Sequence, residues 1–407
     1  MCKLCKLYFA IFFLAGVFAL GSRQRAAAQS QPSNVDRIFA RAVALHQAGD
    51  IEGAIHEYQT LLAVNPNRVD ARSNLGAAYA RLGRYQDAIE QYKSALALDE
   101  RNSTIRFNLA LAFYKAAYIT DAAAEFSRIV GSQPENKNAV FLLADCYLQL
   151  GEHKKVIELL SPHEATYGNE RALAYLLGTA LIYDNQTEKG QLLIDRILRD
   201  GDSAEARLLI GTAHLMAREH QNAIKEFERA IELNPKLPAV HSLYAKAMLS
   251  SGEVERARKS FQDELEINPN DFEANLYLGL LLKQDQENEK ALGYFQRALM
   301  VRPRELNVRY FIGSLYVTLG KTADAQRMLE DVVKDAPDFV EAHVSLATVY
   351  YRLKRKEDGD RERVVIQKLN AERQARAPGA QDSLGPAYRG EKFPNVKPFP
   401  KQENKQR

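Results

Sequence analysis

The hydrophobic and polar positions of this chain follow a helical spacing that is clearest in residues 74–96. Leu75, Tyr79 and Leu82 recur at intervals of four and three residues, so they share one face of a helix. After a short polar break the same spacing returns at Ala88, Tyr92 and Ala95. The pattern predicts two helices in succession, each with one apolar face.

A glycine marks the break between these two helices. Gly83 stands where the first helix should end, and glycine takes the left-handed conformation at a helix C-terminus without steric strain. The same slot holds glycine in several other segments, at Gly49, Gly151, Gly252 and Gly320. The two helices are therefore predicted to form an antiparallel pair.

This pair repeats along almost the whole chain. The slot of Gly76 always holds alanine or glycine, and successive slots are 34 residues apart except for one step of 33. The slots are Ala42, Gly76, Ala110, Ala144, Gly178, Gly211, Ala245, Gly279, Gly313 and Ala347. A fixed period of this length is the sequence signature of stacked helix pairs. Ten pairs are predicted, the first starting near residue 35 and the last near residue 340.

The small residues of each unit are predicted to let its two helices cross closely. Gly76 is expected to face the second helix near Ala88 and Ala95, with Tyr79 and Tyr92 filling the space beside the contact. A leucine in place of Ala88 would overpack this crossing, at a cost of about 1–3 kcal/mol. Because one pair cannot bury both of its apolar faces, neighbouring pairs should stack around a shared core.

The segment NLGAAYARLGRYQDAIEQYKSALALD resembles the tetratricopeptide repeat. The unit of that family has Leu-Gly in its first helix, followed by Tyr, Gly, Tyr, Ala, an aromatic residue, Ala and Pro. The resemblance covers residues 35 to about 371, although the tryptophan of the family pattern is absent. It implies an all-α fold, a right-handed superhelical α-solenoid of antiparallel helix pairs.

Several departures from the repeat predict local differences in structure. Two blocks of repeats are predicted, 35–160 and 171–371, with a looser joint at 161–170, where the fourth unit lacks a regular end to its second helix. A seamless solenoid is the alternative. Asn185 replaces the turn glycine of the fifth unit. Glu264 takes a slot that is alanine in several other units, and we expect its side chain to face solvent.

Both ends of the chain differ from the repeats. Residues 1–28 combine basic residues, an apolar run at 7–20 and an A-x-A site, which is the plan of a secretory signal peptide cleaved after Ala28. The apolar run is short for a membrane span, and an uncleaved anchor is the alternative. Residues 373–407 are basic and contain several prolines. We expect them to form a disordered tail that either aids solubility or docks a partner.

Charge and cysteine content narrow the possible chemistry. The net charge of +3 includes +4 from residues 1–28, so the remainder is −1 and does not indicate nucleic-acid binding. After cleavage Cys146 would be the sole cysteine, and we interpret it as a small core residue. The sequence LGKT at 319–322 lacks the first glycine of a phosphate-binding loop. We therefore predict no enzyme activity, no cofactor and no metal.

The family resemblance implies where a partner would bind. In tetratricopeptide repeats, residues two, five, nine, twelve and thirteen of each unit contact the bound ligand on the concave face. Carried onto this chain, these positions include Phe39, Val43, Ser73, Arg81, Phe107, Leu111, Tyr114, Lys115, Phe141, Asp145, Tyr175, Tyr183, Leu208, Met216, Lys246, Leu276, Lys283, Tyr310 and Tyr351. Some of them are expected to pack between neighbouring units instead. No unit has the Lys and Asn pair that this family uses to clamp the C-terminal carboxylate of a chaperone.

These observations favour a non-catalytic, exported scaffold that holds a peptide or protein in its concave groove, in the bacterial periplasm or outside the cell. Aromatic side chains from Phe107 to Tyr183 would provide a large contact area at little cost in entropy. The alternative function is an assembly factor of a cell-envelope or exopolysaccharide-secretion complex, with a membrane-associated partner. No nucleic-acid partner is expected.

Overall fold

A computed structural model describes residues 34–168, 170–199 and 201–376 of the chain. Within these ranges every regular element is a helix, and no β-strand is present. The helices fall into two compact units, divided between residues 200 and 201. The predicted all-α class is confirmed.

The first compact unit contains helices α1 to α11. Their bounds are α1 Asn34–Ala48, α2 Ile51–Val64, α3 Val69–Arg81, α4 Tyr85–Leu98, α5 Ser103–Lys115, α6 Ile119–Ser132, α7 Lys137–Gln149, α8 His153–Leu160, α9 Glu164–Tyr167, α10 Arg171–Tyr183 and α11 Thr187–Leu198. Consecutive helices pack as pairs, α1 with α2, α3 with α4 and α5 with α6, and each of these pairs also packs against the next. The stack of helix pairs that the sequence predicts is present in this unit.

The second compact unit contains helices α12 to α21. Their bounds are α12 Ala204–Met216, α13 His220–Leu233, α14 Val240–Ser250, α15 Val254–Ile267, α16 Phe272–Gln284, α17 Asn288–Val301, α18 Leu306–Thr318, α19 Thr322–Asp335, α20 Val340–Arg352 and α21 Lys356–Arg376. The second helix of each pair packs against the first helix of the next pair, as α13 does against α14 and α15 against α16. The helix pairs of this unit therefore also form a stack.

Glycine in the first helix of a pair makes room for a ring from the second helix. A Cβ atom placed on Gly76 would lie 2.8 Å from a ring carbon of Tyr92, and one placed on Gly279 would lie 2.8 Å from a ring carbon of Phe295. Both rings are buried. The close crossing predicted from the small residues is present, and the large side chain lies directly over the glycine rather than beside it.

The turn inside each helix pair keeps a left-handed backbone even where glycine is missing. Gly83 has a φ angle of 75°. The equivalent turn residue is left-handed but not glycine in five pairs, at Ala117, Asn185, Arg218, Gln286 and Lys354. This conformation costs a residue with a Cβ atom about 1–2 kcal/mol. The packing of the two helices, and not the identity of the turn residue, therefore imposes the turn.

The end of the fourth helix pair is irregular, as the sequence predicts. α8 ends at Leu160 after eight residues, and a 3₁₀ turn and the short α9 follow it. The Tyr167 ring of α9 packs edge-on against Phe141 of α7, with 5.9 Å between the ring centroids. α10 then packs against both α7 and α8. The irregular segment thus belongs to the packed part of the first unit.

The side chain of Glu264 does not face solvent, so the expectation from the sequence is wrong. Glu264 is fully buried, and its carboxylate accepts hydrogen bonds from the backbone N–H groups of Ala239 at 2.8 Å and His241 at 3.2 Å. α14 begins only at Val240, and Ala239 before it has a left-handed φ of 67°. The first N–H groups of a helix have no acceptor within it. Glu264 supplies that acceptor from the paired helix α15.

Both ends of the chain lie outside the described residues. This applies to the predicted signal peptide at 1–28, with its cleavage site, and to the predicted tail from residue 377 on. α21 continues to Arg376, so it includes the first residues of the segment that we expected to be a tail. In the described ranges, no helix combines the length and the apolar character that crossing a membrane requires.

Candidate partner-binding site

The predicted partner-binding positions differ widely in exposure. Three of them are buried, namely Phe141, Leu208 and Leu276. Exposed are Arg81, Lys115, Met216 and Tyr351. Half-buried are Phe39, Val43, Ser73, Phe107, Leu111, Tyr114, Asp145, Tyr175, Tyr183, Lys246, Lys283 and Tyr310. The half-buried group contains most of the aromatic rings of the set, and these rings remain partly accessible to a partner.

Aromatic residues at the fifth position of a unit pack against the core on one side. The Phe107 ring contacts Phe126 edge-on, with 5.6 Å between the centroids. Tyr310 contacts Phe339 at 4.8 Å. Phe126 and Phe339 are both buried. Such rings are held in place by the repeats while part of their surface stays open.

Arg81 and Tyr351 form contacts within the chain. The Arg81 Nη1 donates a hydrogen bond at 3.1 Å to the carbonyl oxygen of His46, in the last turn of α1, where a positive charge is favourable. The Tyr351 hydroxyl donates to Asp360 Oδ1 at 2.7 Å, and its ring lies against Gly359. Both side chains thus have a structural role, and their contact with a partner stays a prediction.

The first unit brings three polar side chains together from the first helices of two neighbouring repeats. The Tyr114 hydroxyl on α5 donates to Oδ2 of Asp145 on α7 at 2.5 Å. The Gln149 amide, one turn further along α7, donates to the same oxygen at 2.7 Å and to the Tyr114 hydroxyl at 2.9 Å. These three residues, which we call the Asp145 cluster, form a closed triangle of hydrogen bonds.

The Asp145 carboxyl group is largely enclosed by protein and still reaches the surface. Burial raises its pKa above the ordinary value, although the hydrogen bonds from Tyr114 and Gln149 and the charge of Lys115 oppose this shift. Part of the residue remains accessible. Both hydrogen bonds go to Oδ2, and no described residue donates to Oδ1. One oxygen of a poorly hydrated carboxylate is therefore left open.

Apolar side chains of α5 lie beside the Asp145 cluster. Phe107, Leu111 and Tyr114 follow one another at intervals of four and three residues, so they share one face of the helix. Each of the three is half-buried. Lys115 is exposed next to them, with its Nζ 6.0 Å from the centroid of the Tyr114 ring. We call Phe107, Leu111 and the Asp145 cluster together the candidate site.

The corresponding positions in the second unit carry lysines whose ammonium groups lie against the next repeat. The Lys246 Nζ lies 3.1 Å from a carboxylate oxygen of Glu273 and 5.9 Å from the centroid of the Tyr277 ring. The Lys283 Nζ lies 5.3 Å from the centroid of the Phe311 ring, and burial lowers its pKa. These lysines help to join neighbouring repeats.

The possible metal ligands of the described part of the chain and its cysteine have the following arrangement. It contains no group of three His, Cys, Asp or Glu side chains that could hold a metal ion. Cys146 is fully buried, and burial raises its pKa well above the ordinary value, which keeps the thiol protonated and unreactive. The interpretation of Cys146 as a small core residue agrees with this position.

Sequence reasoning found Tyr114 and Asp145 but missed Gln149. Gln149 stands at the thirteenth position of the fourth unit, the same position that Arg81 and Lys115 take in their units. Applying that position to every unit would have found it. The bond between Tyr114 and Asp145 joins residues 31 apart in sequence, and it leaves no trace in the period of the repeat.

Comparison with protein families gives matches over most of the repeats. A profile described as tetratricopeptide repeat matches residues 39–103, 175–238 and 312–359. A second profile with that description matches residues 214–280. One described as anaphase-promoting complex, cyclosome, subunit 3 matches residues 115–191. No curated protein matches the chain.

Three solved structures are among those that are similar to this chain. A chain of the APC/C hetero-tetramer Cut9-Hcn1 is 15% identical, with a TM-score of 0.47, and the match covers 86% of this chain and 82% of that chain. The MamA RS-1 ArsTM double mutant is 18% identical, with a TM-score of 0.39 and coverage of 43% and 98%. The crystal structure of MamA protein is 18% identical, with a TM-score of 0.37 and coverage of 44% and 98%.

Proposed function

The chain belongs to the tetratricopeptide repeat family, and on that premise we propose that it is a non-catalytic, exported scaffold for a peptide or protein partner. Stacked repeats of this kind form extended surfaces for protein–protein interaction. The partner would lie along the first helices of the first compact unit, with the candidate site as its central contact. This function needs no cofactor.

The observation that supports the proposal is the composition of the candidate site. Phe107 rests on the buried Phe126, so its ring is already ordered and a partner contact costs little side-chain entropy. Leu111 on the same face is half-buried. The Asp145 cluster adds polar groups that can orient a partner. Apolar anchors beside a few fixed polar groups are typical of binding surfaces.

A photo-reactive amino acid placed at residue 111 tests the proposed contact in cells of the native host. The matched control is the same amino acid at residue 192, because Leu192 is a leucine on the second helix α11 and is 65% exposed. We expect discrete cross-linked products from position 111 and none from position 192. Equal products from both positions, or none from position 111, would contradict a binding role for this face.

The variant Leu111→Asp extends this test to affinity. A carboxylate at this position would be placed against the apolar part of a bound partner, at a cost in affinity of at least tenfold. Leu192→Asp is the matched control and should leave recovery of the partner unchanged. Helicity measured by circular dichroism should be the same in both variants.

We also propose that the protein is exported, which the pattern of residues 1–28 supports. Fractionation of cells that express the chain with and without these residues tests this. The full chain should be soluble in the periplasm or the medium, and the shortened chain should stay in the cytosol. Recovery of the full chain in the membrane fraction would instead favour the uncleaved anchor and the envelope-assembly function. Retention of the full chain in the cytosol would contradict export.

A further inference from the structure

We propose that the candidate site accepts an arginine or lysine side chain of the partner, with its positive group on Asp145. This inference rests on the proposed function, because it names the chemistry of the partner that the site would hold. Tyr114 and Gln149 both donate to Oδ2 of Asp145, and no described residue donates to Oδ1. A donor from the partner would complete the hydrogen bonding of this carboxylate.

The surroundings of Asp145 favour a charged donor over a neutral one. The carboxylate is poorly hydrated, so it gains more from a positive partner than a carboxylate in open water does. Hydrogen bonds between charged groups are shorter and stronger than those between neutral groups. The bonds from Tyr114 at 2.5 Å and Gln149 at 2.7 Å hold the carboxylate in one orientation before any partner arrives. The acceptor is therefore preorganised.

The apolar part of the candidate site fits the rest of a basic side chain. Lysine and arginine carry a long hydrocarbon stem that packs on apolar surface while the charged end stays on a polar group. Phe107 and Leu111 offer such a surface on α5, and both are half-buried. The rings of Phe107 and Tyr114 can also attract a cation. A bare metal ion fits less well, because it needs several ligands and the described residues contain no group of three His, Cys, Asp or Glu side chains that could hold one.

Replacing Lys115 distinguishes a basic partner from an acidic one. Its charge acts on Asp145 and favours the ionised carboxylate, while its side chain is exposed beside Tyr114. An acidic partner would bind Lys115, so replacing this lysine would weaken binding. A basic partner would be repelled by Lys115, so the same replacement would strengthen binding. The sign of the effect of Lys115→Gln therefore identifies the charge of the partner.

A display selection of random 12-residue peptides against the full chain supplies probes of known sequence. We expect the peptides enriched on the wild-type protein to share an arginine or lysine at one fixed position. The same selection on Asp145→Asn should lose this enrichment. The exposed Asp195 of α11 provides the matched control, and Asp195→Asn should keep it.

The second part of the test compares the affinity of one enriched peptide with that of the same peptide in which the shared arginine or lysine is replaced by glutamine. The wild-type protein should prefer the basic form by about 10- to 100-fold, as expected for a hydrogen bond between charged groups. Asp145→Asn should show no preference, and Lys115→Gln should bind the basic form about two to five times more tightly. Lys115 is on the surface, so its replacement tests the proposal even if Asp145→Asn folds poorly.

The outcomes distinguish a failure of the scaffold function from a failure of the basic-partner inference. If no peptide is enriched on the wild-type protein, the scaffold function itself fails. If peptides are enriched without a shared basic residue, or if they bind Asp145→Asn as well as wild type, the basic-partner inference alone fails. Weaker binding to Lys115→Gln would also overturn it and would indicate an acidic partner.

Discussion

Asp145 in the first compact unit and Glu264 in the second are two acids in mostly non-aqueous surroundings, yet their hydrogen-bond donors differ. Glu264 accepts from the backbone N–H groups of Ala239 and His241. Asp145 accepts from two side chains, those of Tyr114 and Gln149. The first set of donors exists in any sequence that starts a helix there, whereas the second is provided by two particular side chains.

The difference shows which acid the fold requires. Without Glu264, the partly buried start of α14 would lose the acceptor for two backbone N–H groups, and these groups cannot be removed from the chain. Without Asp145, Tyr114 and Gln149 still have each other and lie near the surface. An acid that the fold does not require, held in one orientation with an open oxygen, supports the binding role that we propose for Asp145.

The largest effect is expected from Glu264→Ala. This change leaves two partly buried N–H groups without their acceptor and opens a void, so the free energy of unfolding should fall by about 2–4 kcal/mol. Urea unfolding followed by circular dichroism measures it. Glu266→Ala is the matched control, because Glu266 is an exposed acid on the same helix, and it should change the free energy by less than about 0.5 kcal/mol. Similar losses in the free energy of unfolding for the two variants would contradict a structural role for Glu264.

A pH series with Glu264→Gln tests the electrostatics of the same acid. Burial, and then the nearby Asp271, raises the pKa of Glu264, against the opposing backbone hydrogen bonds. The folded protein thus keeps this proton to higher pH than the unfolded chain, and stability falls as the pH rises through the raised pKa. The free energy of unfolding of wild type minus that of Glu264→Gln should fall by about 1–3 kcal/mol between about pH 5 and pH 8. A difference that grows over this range would contradict the assignment.

Tyr114→Phe should have a smaller effect on the first unit. It removes one donor to the Asp145 carboxylate and should lower the free energy of unfolding by about 1 kcal/mol. Tyr118→Phe changes an exposed tyrosine directly before α6; it is the control and should have no measurable effect. A loss above about 3 kcal/mol would mean that the Asp145 cluster is as structural as Glu264.

The smallest effect is expected from Asp145→Asn. The amide oxygen can still accept from Tyr114 and Gln149, and the unfavourable burial of a charge is gone, so the free energy of unfolding at pH 7 should change by less than about 0.5 kcal/mol. Thermal and urea unfolding of the variant beside wild type provide the measurement. A fall in the free energy of unfolding above about 1.5 kcal/mol would mean that the fold requires Asp145 as it requires Glu264, and it would contradict the argument for a binding role.

The sequence predicts most of the fold because the same contact recurs in every unit. The slot of Gly76 and its equivalents place each helix pair in register, and the irregular end of the fourth pair is visible in the residues themselves. The expectation for Glu264 fails because a polar residue in an alanine slot need not face solvent when N–H groups of the paired helix need an acceptor. Pro238 at the start of the same unit gave no warning, since proline is tolerated in the first turn of a helix, whereas the helix here begins only at Val240.

The sequence could predict individual residues of the candidate site, but not how deeply they are buried or which hydrogen bonds they form. The family positions included Tyr114 and Asp145 because they lie on the predicted binding face of their helices. They also included Phe141 and Leu208, which are buried, because a position number carries no information on how deep a side chain lies. The hydrogen bonds that distinguish Asp145 depend on side-chain rotamers and on the distance between neighbouring repeats, and neither follows from periodicity.

The left-handed turns have a consequence for the order in which the chain folds. A hairpin that turns at Gly83 can close as soon as its own two helices exist, because glycine adopts the turn without strain. One that turns at Ala117 or Gln286 must offset the strained residue with the packing of its own two helices, at a cost of about 1–2 kcal/mol. The hairpins that turn at glycine should therefore close more readily than the others, and the turn residues would influence which hairpins form first.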